Sequence, residues 1–375
     1  MTRCLRPLVY LPFVDERGAG MQRFGQEMIA ALERAGVDFE LLIGERLGDV
    51  AWLDARPHRL LLSPALSARL PRAAAALLRL ARVQRALSRP GRTVVALAHE
   101  VAARPRGRQI AVVHDITWLK PFAPARNQGT IVRDALWCAG LKRSRVIAIS
   151  DATRRDVAQW AGIDAHAIPV VYEGFDPRLF HPDHQGGLQG VARAGRPVLL
   201  YAGTLATHKN VACILSAFVG VRERGVDAVL KLVGRYEPSQ AAVLLASVPE
   251  PWRADIDFAG FVSTEQLGDE MRACAAFLFP SRNEGFGLAP VEAMACGAPV
   301  LSSPGGSLAE VVADGGWLLD PDDPGAWADA IARVLCDADL AADLRARALT
   351  RAQLFSWDRA ADQYRVIMET DRAAR

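Results

Sequence analysis

Short apolar runs alternate with segments of helical periodicity along almost the whole chain. Residues 7–13 form the first run, followed by Gly18-Ala19-Gly20 and then by residues 21–35 at helical spacing. Residues 39–43, 93–98, 109–113 and 145–149 are further apolar runs, some of them followed by helical patterns. Residues 169–172 close this series, and the Gly-, Pro- and His-rich stretch 173–190 reads as a linker. The alternation restarts at 197–201 and continues through 229–233, 256–258, 276–279, 299–302 and 316–319, with a final amphipathic helix from Trp357. Strands alternating with helices imply parallel sheets covered on both faces. Two such series across a linker predict an α/β protein of two Rossmann-like, doubly wound domains, residues 1–185 and 195–356. Ligands are then expected beyond the carboxyl ends of the strands, in a crevice between the domains.

Composition refines this picture without changing it. The chain has 375 residues, 51% of them hydrophobic, enough for two cores, and no apolar run reaches the roughly 18 residues of a bilayer span. Its start reads as a buried first strand better than as a signal peptide, because no small-residue cleavage site follows. Six cysteines (Cys4, Cys138, Cys213, Cys274, Cys296, Cys336) lie scattered with no C-x-x-C pair, as core residues of a reducing compartment would. A cytoplasmic protein is therefore expected. The net charge of +3 conceals an asymmetry: residues 1–190 carry 27 Lys and Arg against 18 Asp and Glu, residues 191–375 carry 18 against 24. The excess peaks between Arg69 and Arg108, where ten arginines face Glu100 alone. Leu77, Leu80, Val83 and Leu87 recur there at helical spacing, and Arg79, Arg82, Arg85 and Arg89 are assigned to another side of the same helix. Such a face could touch the anionic inner membrane surface or a phosphorylated lipid-linked acceptor, or could simply be solvated. Aromatics that would stack on bases are sparse there, so nucleic acid is not an expected partner.

The most informative chemistry follows the 276–279 strand: Pro280-Ser281-Arg282-Asn283-Glu284-Gly285-Phe286-Gly287-Leu288, then a helix beginning near Leu288 and carrying Glu292. A polar glycine loop running into a helix offers free backbone N–H groups and the positive end of a helix dipole, which suits an anion. The dipole contributes only about 0.3–1 kcal/mol, whereas charge-assisted hydrogen bonds to phosphate contribute about 1.5–3 kcal/mol each. Individual donors must therefore dominate. Glu284 and Glu292 frame the loop, and carboxylates are good acceptors for sugar hydroxyls.

This segment resembles the E-x7-E signature of the retaining family-four glycosyltransferases, which have the GT-B fold of two Rossmann-like domains facing a cleft. The resemblance implies that Glu284 contacts the transferred sugar, that Gly285, Phe286, Gly287 and Leu288 line sugar and phosphate, and that Glu292 contacts the nucleotide ribose. Leu200-Tyr201-Ala202-Gly203-Thr204-Leu205-Ala206-Thr207-His208-Lys209-Asn210 is similar to the family's diphosphate-neutralising stretch, with Gly203, Thr204 and Lys209 in place. His208 stands where many relatives have Arg, and a neutral imidazole cannot make a bidentate phosphate contact; either His208 is protonated beside the phosphates, or the second cation comes from elsewhere, with Arg282 a candidate substitute. Val113-His114-Asp115 resembles the family's strand-end His-Asp, which puts His114 near the reacting sugar and leaves Asp115 a helix-capping role. Gly18-Ala19-Gly20 resembles an early glycine loop that meets donor phosphate and acceptor through its amides, Gly20 included. Ser150 before Asp151 fits the family too, although an N-cap accounts for it. The final helix, residues 357–375, is expected to pack back on the first domain.

The resemblance implies a metal-independent hexosyltransferase without a covalent nucleophile, its catalytic groups being His114, Lys209 and Glu284. The whole pattern looks most like bacterial mannosyltransferase-like members that build surface polysaccharide or O-antigen. GDP-mannose is the expected donor co-substrate, with UDP- and dTDP-sugars as alternatives, and a glycan or lipid-linked acceptor is expected. Three rivals differ in class. An NAD-dependent oxidoreductase needs a third glycine where Arg23 stands. A glycosidase using Glu284 and Glu292 leaves Lys209 and the phosphate loop idle. A non-catalytic sugar-nucleotide-binding partner of another transferase stays open.

Overall fold

The computed structural model describes residues 6–15, 20–62, 72–120, 128–182 and 195–373. The chain separates into two compact units, Met1–Glu173 with Trp357–Arg375, and Gly174–Ser356. Gly18, Ala19, the stretch 69–71 and residues 183–190 of the linker lie outside the described residues.

In the first unit six strands form one sheet: β1 (Leu8–Asp15), β2 (Glu40–Leu47), β3 (His58–Leu62), β4 (Thr93–Ala96), β5 (Arg108–Val113) and β6 (Arg145–Ala148). Every pairing is parallel and the order is β3-β2-β1-β4-β5-β6. The second unit repeats this plan with β7 (Val198–Ala202), β8 (Val229–Val233), β9 (Ile256–Gly260), β10 (Ala276–Phe279), β11 (Val300–Ser302) and β12 (Trp317–Leu318), ordered β12-β11-β10-β7-β8-β9. Both sheets therefore run outward in two directions from their first strand, the doubly wound order, and each has one switch point: β1 beside β4, and β7 beside β10. Central strands such as β7 and β10 are buried at every position, as parallel strands covered on both faces must be. That is why they read as unbroken apolar runs.

β3 did not stand out in the sequence. It is an edge strand with exposed Arg59 and Leu60, so no apolar run marks it. Residues 169–172 form no strand; Val170 makes only a bridge to Ala148. Gly174–Pro182 packs into the second unit: Phe180 is buried and the Leu179 carbonyl accepts from Arg272 Nη1 at 2.8 Å. The final helix, Trp357–Ala373, lies against the Gly20–Arg34 helix, with Trp357 edge-on to Phe24 at 5.6 Å and Arg34 paired with Asp358 at 2.6 Å.

The basic helix, Arg72–Leu87, departs from its expected faces. Val83 and Leu87 are buried, but Leu77 is 69% exposed, because at about 100° per residue it lies about 120° round the helix from Val83. Arg79 sits only about 40° from Val83 on the same count, so it faces inward. It pairs with Glu100 at 3.0 Å and donates to the Pro12 carbonyl at 3.2 Å. Arg82 donates to the Leu61 carbonyl at 2.7 Å, and the buried Arg92 pairs with Glu40 at 2.8 Å. These three cations serve the fold of their own unit. Among the described residues no helix is long and apolar enough to cross a membrane.

Candidate functional site

In the second unit the switch point brings together two loops that are far apart in sequence. The chain leaving β7 passes Gly203 and Thr204 into a short turn, Thr207–Lys209, and the chain leaving β10 becomes the Pro280–Gly287 loop. Lys209 Nζ donates to both carboxylate oxygens of Glu284, at 2.6 and 2.9 Å. The two side chains are only 17% and 12% exposed, and the Phe279 ring lies 5.5 Å from the ammonium. Hydrogen bonds fasten the loops to each other: the His208 carbonyl accepts from the Arg282 amide at 2.7 Å and from Ser281 Oγ at 3.1 Å.

Glycines allow the close approaches that this needs. A Cβ on Gly234, whose φ is +148°, would lie 1.9 Å from the Gly203 carbonyl oxygen, and one on Gly203 would meet the Tyr201 hydroxyl at 2.7 Å. That hydroxyl donates to the Thr204 carbonyl at 2.6 Å and so pins the turn after β7. Burial, and then the neighbouring Glu284 charge, push the Tyr201 phenol well above its usual range. Gly287 (φ +102°) caps the Leu288–Ala295 helix in a left-handed conformation.

A third loop, after β11, braces the second. Ser307 donates from its amide to the Glu284 carbonyl at 3.0 Å and from Oγ to the Phe286 carbonyl at 2.7 Å. Gly306 (φ +65°) packs on the Glu284 backbone, and Ser303 Oγ donates to the Ser281 carbonyl. Neither Gly306 nor Ser307 stood out in the sequence, because a serine and two glycines between a strand and a short helix look like any turn. Their role is set by which loop lies beside them.

The remaining residues singled out from the sequence fall as follows. Phe286 is buried edge-on against Phe355 at 5.5 Å. Glu292 is buried at 2% exposure within its helix, while Gly285 and Leu288 are half-buried on the loop and the first helical residue. Arg282 is exposed, pairs with Asp322 at 2.5 Å and donates to Asn210 Oδ1 at 3.3 Å. His208 is half-buried on the turn itself. Gly20 begins its helix with nothing within 4 Å of where a Cβ would stand.

In the first unit His114 follows β5 and is buried. Its Nε2 lies 3.1 Å from the Leu97 carbonyl and its Nδ1 3.4 Å from Glu173 Oε1, so both ring nitrogens have partners within the unit. Phe24 meets the ring edge-on at 4.4 Å. Burial raises the Glu173 carboxyl above its usual range, and His114 draws it part of the way back. Thr153 Oγ1 donates to the His114 carbonyl at 3.0 Å, and Ser150 caps the Asp151–Ala161 helix by accepting from the Thr153 amide. Asp115 accepts from the Thr117 amide at 2.9 Å, capping a short turn. Beyond β4, at this unit's switch point, stands His99, which the sequence did not single out; burial lowers its imidazole to about 4. Among the described residues no cluster of three His, Cys, Asp or Glu is placed to hold a metal ion.

Two family descriptions match consecutive parts of the chain: Glycosyltransferase Family 4 over residues 18–179 and Glycosyl transferases group 1 over residues 189–351. A D-inositol 3-phosphate glycosyltransferase of Nocardioides is 31% identical over 238 residues, 58% of this chain and 52% of the relative. The O-antigen chain mannosyltransferase B of Escherichia coli is 34% identical over 177 residues, 47% of this chain and 46% of the relative. The chain thus spans about half the length of the curated relatives it matches. The solved structure of Anabaena Alr3699/HepE in complex with UDP-glucose superposes with a TM-score of 0.72 over 97% of this chain and 99% of that one, at 21% identity.

Proposed function

This chain has the GT-B fold and is related to the sugar-nucleotide glycosyltransferases of group 1 and family 4, and from that premise we propose that it transfers a hexose from a sugar nucleotide to a glycan acceptor in surface polysaccharide assembly. The observation that carries the reading is the meeting of Lys209 and Glu284 at the β7–β10 switch point, a cation for a diphosphate beside a carboxylate for sugar hydroxyls. The Glu284–Leu288 loop and the amino end of the following helix add backbone donors around them.

In this reading the donor's diphosphate sits against Lys209 and the loop amides, its sugar against Glu284, and its ribose toward Glu292. Lys209 stabilises negative charge as it builds on the leaving phosphate. Stereochemistry is retained without a covalent intermediate, the leaving phosphate oxygen taking the acceptor's proton. In the first unit His114, tied to Glu173 and the Leu97 carbonyl, is the proposed catalytic group. Mannose from GDP-mannose is the first choice of donor, supported by the likeness to the O-antigen mannosyltransferase; the UDP-glucose complex of the structural neighbour keeps uridine donors in the test. The arginines of the basic stretch that the fold leaves exposed are the proposed contact with a membrane-borne acceptor.

Calorimetry with GDP-mannose, UDP-glucose, UDP-N-acetylglucosamine and dTDP-rhamnose, with EDTA and then with magnesium, tests the reading. One donor should bind saturably and equally in both. Lys209→Ala should weaken that binding by about tenfold or more, the worth of a charge-assisted bond to phosphate, and leave free nucleoside binding unchanged. Equal losses for donor and nucleoside would remove Lys209 from the phosphate site. NMR of the product anomer decides retention.

A further inference from the structure

Lys209 is already engaged by its own protein. Both carboxylate oxygens of Glu284 accept from the ammonium, and both side chains are largely buried. The pair is held from each side: the Lys209 amide donates to the Ala206 carbonyl at 2.8 Å, and Gly306 and Ser307 press on the Glu284 backbone. The Tyr201 hydroxyl is spent on the Thr204 carbonyl. An anion that recruits Lys209, through its third N–H or by drawing it from Glu284, brings its phosphate oxygens up against that carboxylate in a poorly solvated pocket, where like charges repel more strongly than in water.

Resting on the donor-site reading above, we infer that Glu284 selects the intact sugar nucleotide over the free nucleoside diphosphate, acting as a resident counter-ion of Lys209. The two ligands differ where Glu284 stands. An intact donor brings sugar hydroxyls, whose O–H groups donate to the carboxylate and offset its charge. A free diphosphate brings no donor there and carries an additional negative charge on its terminal phosphate. The Glu284 charge therefore works with the substrate and against the product, so that cleavage of the donor itself turns a compensated carboxylate into a repelling one and speeds departure of the diphosphate.

The experiment compares GDP with GDP-mannose, and UDP with UDP-glucose, by calorimetry on the full chain at fixed pH and salt, in wild type, Glu284→Gln, Glu284→Ser and Lys209→Ala. Glutamine keeps the side-chain length and an acceptor for Lys209 while removing the charge; serine serves if the glutamine variant melts early. The free diphosphate should bind the Glu284 variants about tenfold tighter than wild type, the scale of one charge-assisted hydrogen bond regained by phosphate. The ratio of donor to diphosphate affinity should fall by at least as much. A free diphosphate that binds the Glu284 variants no tighter than wild type overturns the inference, and if Lys209→Ala weakens diphosphate binding in the same series, the donor site stands without it. If Lys209→Ala changes neither ligand, or no pair binds at all once dTDP with dTDP-rhamnose is included, the donor-site reading fails and the inference with it.

Discussion

Single side chains in this protein owe their chemistry to what surrounds them. Lys209 and Glu284 would each be an ordinary surface charge if exposed, and an exposed pair contributes only about 0–1 kcal/mol. Half-enclosed at a sheet switch point, they become mutual partners whose charges any ligand of either one must meet. His99 shows the same dependence in the first unit. Burial outweighs the nearby Asp115 charge and holds its imidazole at about 4, below the ordinary 6.5. The neutral form is favoured in the native state, so between those pH values the unfolded chain binds a proton that the folded one does not. Stability must therefore fall as pH drops from about 6.5 toward 4, by up to about 3 kcal/mol from this group. Urea unfolding at pH 7 and pH 4.5 should show a smaller acid loss in His99→Phe than in wild type. Equal losses would mean that His99 is well solvated.

Elements set the next constraint, and here the decisive one is a loop braced by another loop. Gly306 has φ +65°, and a Cβ there would lie 2.3 Å from the Glu284 carbonyl oxygen and 2.6 Å from its amide nitrogen. Both are backbone atoms and cannot rotate away. Gly36 is the matched control, with φ +72° and nothing within 4 Å. Gly36→Ala should cost about 1 kcal/mol, the left-handed penalty alone, whereas Gly306→Ala should cost about 2–3 kcal/mol and weaken donor binding by displacing Glu284. Equal midpoints in denaturant for the two variants would show that the β11 loop yields freely. The basic Arg72–Leu87 helix teaches the reverse lesson about periodicity. Leucines at helical spacing pointed to one buried face, yet the side chain at 77 is exposed and the arginine at 79 turns inward to Glu100, because the buried stripe follows Val83 and Leu87.

At the scale of the whole molecule the chain crosses between its units twice, near Glu173 and near Ser356. The second crossing is bracketed by two aromatic anchors: Phe355 packs on Phe286 in the second unit, and Trp357 packs on Phe24 in the first. Phe24 in turn meets His114, so the terminal helix supports the wall of the first unit's switch-point region. Trp357→Ala should destabilise the first unit by about 3–5 kcal/mol, the usual cost of emptying a buried aromatic site. Amide exchange should then quicken in the Gly20–Arg34 helix and leave the Val211–Glu223 helix unchanged. Uniform quickening would mean that the units unfold as one.

What the sequence determined by itself was local. A strand buried on both faces must be an apolar run, and a helix over a sheet must be amphipathic, so among the described residues eleven of the twelve strands showed in the pattern and the edge strand β3 did not. The glycine loop, its two glutamates and the Gly203–Lys209 turn were legible for the same reason, since glycines and short-range spacing announce backbone geometry. Tertiary structure alone decided which of these segments touch. Lys209 and Glu284 lie 75 residues apart and meet because β10 pairs with β7; His114 meets Glu173 because the chain returns past β6. Sheet order and loop adjacency depend on pairings between distant strands, and those pairings leave no periodic trace in any short window of sequence.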